Sequence, residues 1–154
     1  MNTMNRCQLA NDYHEKGYNC AQSVLAAFGD LTHLPEREAL AVSGGFGGGL
    51  GGSHEELCGA MSGAVMALSI LYPHTEANSP ETKRRIYQIT KDFQTRFKER
   101  FGRTRCGELL AEKITVDDRL PAARREGIRG HCAVLIVTAV EIVEEMLREA
   151  GVAC

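Results

Sequence analysis

Six cysteines, at positions 7, 20, 58, 106, 132 and 154, are the residues of this chain best equipped for chemistry. As thiolates they attack disulfides, ligate soft metals and hold iron–sulfur clusters. Their spacing is wide: no two stand as CxxC, so neither a thioredoxin-type pair nor a zinc ribbon is written here. Nor does any CxxCH mark a c-type haem. Four of the six share a local setting. Cys20, Cys58, Cys106 and Cys132 each fall near the start of an apolar run of helical period, which predicts that they sit in the first turns of four separate helices, near one another. A helix start carries unpaired N–H groups and a partial positive charge, and both favour a thiolate over a thiol.

The same four point inward by pattern. Cys20 shares a face with Val24 and Ala27, and Cys58 with Met61, Val65 and Leu68. Cys106 falls with Leu109 and Leu110, and Cys132 with Leu135, Ile136, Ala139 and Val143. These are i, i+3, i+4 relations, which put each sulfur on the stripe facing the core. Sulfurs converging there make a four-thiolate cluster or two dithiol pairs. A cysteine taken singly is as readily a small buried hydrophobe; the shared placement weighs toward function. Cys7 and Cys154 lack it and read as incidental.

Neighbouring residues carry weaker signals. His54, four residues before Cys58, and His131, next to Cys132, are candidates for a mixed Cys/His zinc site. Arg103 and Arg105 are placed to lower the pKa of Cys106. Gly47, Gly49 and Gly52 match GxGxxG, but no strand precedes them, so the run Gly44 to Gly52 reads as a loop allowing close backbone approach near Cys58. Gly59, Gly63 and Ala67 form a ridge of small residues suited to tight helix packing.

The elements that must position these residues are helical throughout, with no convincing alternating strand. The pattern predicts helices over residues 3–16, from the Asn19 cap to Gly29, and from Pro35 to about Gly44. A fourth is expected from Ser53, with Ser53 and Glu56 at capping-box spacing, to Tyr72. A fifth opens at Ser79-Pro80-Glu81 and stops at Gly102; a short sixth follows Thr104 as N-cap. Residues 115–130 form a polar stretch with room for one helical turn, and the last helix runs from about His131 to Gly151. The expected fold is all-α: a single domain over 1–154, a bundle of about five to seven helices.

Composition bounds the function. The chain has 154 residues, enough to bury a core, with 44% apolar and 25% charged residues. A formal net charge of -2, no Trp and few aromatics argue against nucleic acid as partner. The most apolar run, Leu57 to Tyr72, is shorter than the ~20 residues a spanning helix needs, so no membrane insertion is expected. The first residues lack the apolar stretch of a secretory signal, so a cytoplasmic protein is expected. In that compartment six cysteines do not read as a structural disulfide framework.

Four stretches together carry a resemblance: NCAQSVL from Asn19, GGFGGGLGG followed by CGAMSG at Cys58 to Gly63, RFGRTRCGELL around Cys106, and the Cys132 helix. In this combination the chain resembles the C_GCAxxG_C_C family of redox proteins over roughly residues 5–148. The resemblance implies an all-helical fold and a redox-active or iron–sulfur role for Cys20, Cys58, Cys106 and Cys132. The leading expectation is a [2Fe–2S] cluster on these four thiolates in electron transfer or redox sensing, with Gly47, Gly48, Gly49 and Gly59 as backbone contacts to it. A metal-free thiol–disulfide protein is the alternative, with structural zinc or a plain helical interaction module behind it. A redox partner protein is implied without being identified, a homodimer is compatible, and no specific reaction follows from the residues.

Overall fold

The computed structural model describes residues 5–152, which leaves the start of the helix expected over 3–16, and Cys154, outside the described residues. Nine α-helices follow in chain order: α1 Arg6–Glu15, α2 Cys20–Ala27, α3 Gly29–Thr32, α4 Glu36–Ser43, α5 Gly59–Leu71, α6 Pro80–Phe101, α7 Cys106–Ala111, α8 Pro121–Glu126 and α9 His131–Glu149. Among the described residues there is no strand, only one isolated bridge, between Leu57 and Arg105. The fold is all-α. The helix count exceeds the expected five to seven because short helices such as four-residue α3 and six-residue α8 carry too little periodicity to be read.

Local chemistry sets most boundaries. Asn19 closes a capping box with Gln22 at the head of α2, each side chain bonding the other's backbone N–H. Ser79 caps α6, Pro80 takes its first turn, and Gly102 ends it in the left-handed region at φ 77°. The helix expected from Ser53 begins instead at Gly59, with Cys58 as its N-cap residue. Ser53 makes no capping box: its hydroxyl donates to Gly49 O and accepts from Glu55 N–H. Likewise Arg105, not Thr104, is the N-cap residue of α7.

The core gathers around α9, whose residues from Ala133 to Val143 are all buried. It packs against α1, α2, α5, α6 and α8. The most extensive helix pairing is α2 on α5, and Gly63 lets them approach: a Cβ there would lie 2.5 Å from the Ala21 carbonyl oxygen. The small-residue ridge is therefore a packing device. On the other side, α6 lays Phe93 and Phe97 into the core and ties itself to α9 through Arg96–Glu149 and Arg100–Glu145 ion pairs. Two charged groups are buried among the described residues: Glu141, paired with Arg100, and the Arg6 guanidinium, 2% exposed, which joins α1 to α3 and α9 through Asp30 and Glu144. No helix among the described residues is long and apolar enough to cross a membrane.

Candidate functional site

Cys20 is the first residue of α2, Cys106 the first of α7, Cys132 the second of α9, and Cys58 the N-cap residue of α5. Four helix heads thus present one sulfur-bearing residue each, and all four residues line a single cavity of about 320 Å³. Its wall is almost wholly apolar, with Leu110 and Leu135 lining it alongside the cysteines. Cys58 is buried; Cys20, Cys106 and Cys132 are half-buried, and none is in a disulfide.

Two loops hold Cys58 and Cys106 in register. The Cys58 N–H donates to Thr104 O at 2.9 Å, and the Cys106 N–H donates to Glu56 O at 2.8 Å. Gly107 N–H reaches His54 O at 2.7 Å, and the Arg105 guanidinium donates twice to Glu55 O, from Nε at 3.0 Å and Nη2 at 2.7 Å. Residues 54–58 are strapped to 104–107 by five hydrogen bonds. The strap helps keep 53–57 out of a helix. The carbonyls of His54, Glu55 and Glu56 accept hydrogen bonds from fifty residues away in sequence, while the N–H groups of Ser53, His54 and Glu56 donate back to Leu50, Gly48 and Gly49.

The glycine run forms the remaining wall. Gly44–Phe46 make a 3-10 turn, a helical element the composition did not suggest. Beyond it, Gly48, Gly49, Leu50, Gly51 and Gly52 all have positive φ, between 59° and 74°. Five successive left-handed residues are prohibitive for side-chain-bearing L-residues, so glycine at four of the five is what lets the chain coil this way. The coil is fixed by Gly51 N–H to Gly45 O, Gly52 N–H to Gly47 O and His54 N–H to Gly48 O. Gly48 and Gly59 line the cysteine cavity. Gly49 lies against Cys106, where a Cβ would meet that of the cysteine at 2.6 Å. Gly47 faces the cap residue instead, since its Cβ would fall 2.2 Å from Asn19 Cγ. Asn19 is itself tied to the run through its side-chain N–H bond to Gly44 O.

The electrostatics run against the helix-start expectation. Burial pushes the Cys58 thiol up to about 12, with Cys20 adding to the shift; the N–H groups of Ala60 and Met61 at the head of α5 pull it down without prevailing. Burial also raises Cys106, followed by its neighbours Cys20 and Cys132, and raises Cys132, again with Cys20 adding. In each the loss of hydration outweighs the helix terminus. Arg105 does not lower Cys106 because its guanidinium is committed to Glu55 O, and Arg103 is paired with Glu112.

The stripe reading holds for Val24, Ala27, Met61, Leu68, Leu109 and the four α9 partners, which are buried, while Val65 is half-buried. Leu110 departs from it: it is 42% exposed, at the rim of the cavity rather than in the core. Cys7 is a core residue, its Sγ 3.6 Å from Val137 O and away from this cavity. Of the two histidines singled out, His54 lines the cavity, held at φ 63°, and His131 does not; His131 Nε2 is buried without a partner. His14 also lines it, although it stands six positions before Cys20 across a turn, a spacing that does not announce the approach. Among the described residues, no three His, Cys, Asp or Glu side chains stand where a single metal ion would need them.

Comparison with known families returns one description, "Putative redox-active protein (C_GCAxxG_C_C)", whose family model matches residues 18–146 and so takes in all four cavity cysteines. No curated protein and no solved structure matched the chain.

Proposed function

The chain belongs to the C_GCAxxG_C_C family of redox-active proteins, and on that premise we propose that Cys20, Cys58, Cys106 and Cys132 together hold a [2Fe–2S] cluster for one-electron transfer or redox sensing. The observation that carries this reading is the convergence of four thiols, from four helix heads, on one apolar cavity of about 320 Å³.

The donor set suits a cluster better than a lone ion. A mononuclear zinc site needs about four donors around one point, and no group of three meets that among the described residues. A binuclear cluster asks for only two thiolates at each iron, which four thiols spread around a shared cavity can supply. When bound, such a group supplies reversible one-electron chemistry.

The chain's own part follows from its geometry. Each of Cys58, Cys106 and Cys132 is made harder to ionise by burial and by Cys20. Four thiolates there would repel, so they are stable together only when protons or a cationic centre offset their charge. Ala60 and Met61 direct N–H groups toward Cys58, the arrangement that steadies sulfur-borne negative charge. Leu110 and Leu135 give the sulfurs apolar neighbours, and the strap ties the Cys58 and Cys106 segments together. The same facts weigh against metal-free exchange led by Cys58, because the attacking species is a thiolate and a thiol with pKa about 12 is almost wholly protonated at neutral pH.

Serine replacement of each cysteine, with iron and visible absorbance read on anaerobically reconstituted protein, tests the reading. Cys20→Ser, Cys58→Ser, Cys106→Ser and Cys132→Ser should each lose most of the iron, and Cys7→Ser should keep it. Native iron binding in all four would sink the cluster. Iron-free protein throughout, with thiols lost two at a time on oxidation, would put dithiol exchange in its place.

A further inference from the structure

A second cavity, of about 540 Å³, opens between the segment following α7 and the connection from α8 to α9. Its floor is apolar, with Ile128 buried and Ile114 and Val116 half-buried. Its rim carries three cations, Lys113, Arg124 and Arg129, and none of its lining residues is acidic. This concentration of positive charge sits on a chain whose formal net charge is -2.

Among the described residues, two of the three cations are unpaired and the third is held only by an exposed partner. Arg124 pairs with Asp118, but the two side chains are 66% and 90% exposed, a pairing that water already weakens and a competing anion can displace. Lys113 and Arg129 make no hydrogen bond or ion pair among the described residues. Like charges around one concavity raise its positive potential, and the low-dielectric floor concentrates that field toward the opening. Guanidinium groups match carboxylate and phosphate oxygens with paired N–H donors. An apolar hollow with a few polar groups at one edge is the general form of a small-molecule site.

We propose that this cavity binds a small amphiphilic anion, its carboxylate or phosphate monoester head held by Lys113, Arg124 and Arg129 and its short aliphatic body laid on Ile114, Val116 and Ile128. It shares no lining residue with the cysteine cavity, so it is a separate site and does not depend on what the thiols hold. It does lie on the chain leading into α9, with Arg129 three residues before Cys132.

Calorimetric titration of the full chain with octyl phosphate, octanoate, inorganic phosphate and 1-octanol tests this, alongside the double variant Lys113→Gln, Arg129→Gln. Both substituted residues are exposed, and circular dichroism verifies that the variant folds. Saturable binding of octyl phosphate or octanoate is expected, at least tenfold weaker in the variant, and weaker for inorganic phosphate, which lacks the aliphatic body. The stronger of the two amphiphiles identifies the head group. Amide shifts on binding should cluster at residues 113–116 and 123–129. Absence of saturable binding by both amphiphiles, equal affinity in protein and variant, or octanol binding as tightly as the anions would overturn the proposal.

Discussion

Gly59 leaves the space that Cys20 Sγ occupies: a Cβ built on Gly59 would stand 2.3 Å from that sulfur, and 3.0 Å from Phe46 O. The first residue of α5 therefore sets where the first residue of α2 can place its thiol. Only the absence of a side chain lets the two helix heads approach on the cavity side.

Gly59→Ala should consequently disturb the thiols more than the fold. Relieving the overlap requires Cys20 to change rotamer or α2 to shift, an overpacking cost of about 1–3 kcal/mol. The chain should still fold, as circular dichroism and urea melts will report. Iron taken up on anaerobic reconstitution should fall at least severalfold. Full iron uptake with the stability loss alone would make Gly59 a packing residue and no more.

Opening of the strap should govern access to Cys58, which is 3% exposed. Arg105→Ala removes two charged hydrogen bonds to Glu55 O but leaves the backbone bonds of the strap in place. Because Arg105 is well exposed, about 1 kcal/mol of local stability is at stake. If Cys58 is alkylated only from the opened loop, that loss multiplies its rate by about fivefold. Mass spectrometry of iodoacetamide-labelled metal-free protein would measure it. An unchanged rate at Cys58 would mean that something other than the strap closes it.

Alkali should weaken the fold, in part through Cys7. Burial pushes its thiol up to about 12, with Glu144 and Glu141 adding to the shift. The folded chain thus favours the protonated form more than the unfolded chain does. Its contribution to stability is complete below the ordinary thiol pKa of ~8.5 and is lost as pH rises from there toward 12. Urea midpoints should fall across that window, and less steeply in Cys7→Ala, which gives up about 1 kcal/mol at pH 7 from the small void. Parallel pH profiles for the two proteins would contradict the assignment.

Local chemistry in the sequence made much of this legible. Asn19 and Ser79-Pro80 mark boundaries that their own side chains set, Gly102 one that its left-handed backbone sets, and the structure keeps them, as it keeps the start of α9 at His131. The four cysteines were recognisable because apolar stripes begin at them, and they do meet at one cavity. The misreadings came from partners far along the chain. Ser53 and Glu56 have the spacing of a capping box, yet the carbonyls of 54–56 and the Cys58 N–H are engaged by 104–107. Helix heads point to lowered thiol pKa values, whereas burial, which the apolar stripes place but do not weigh against the helix terminus, reverses the sign at Cys58. His14 joins the cavity only because α1 turns back at Gly17. The left-handed coil at 48–52 was visible as glycine but not as geometry.

The central claim is that four thiols act together as one set of cluster ligands, and the iron and acid-labile sulfide content of the unmodified protein tests it most directly. The chain, reconstituted anaerobically and freed of loosely bound metal, should hold about two irons and about two sulfides per chain, the composition of a [2Fe–2S] group on four cysteines. It should be coloured, bleach on reduction by dithionite and give an electron paramagnetic resonance signal in the reduced state. Colourless protein with no bound iron or sulfide, its thiols intact by titration, would contradict the claim.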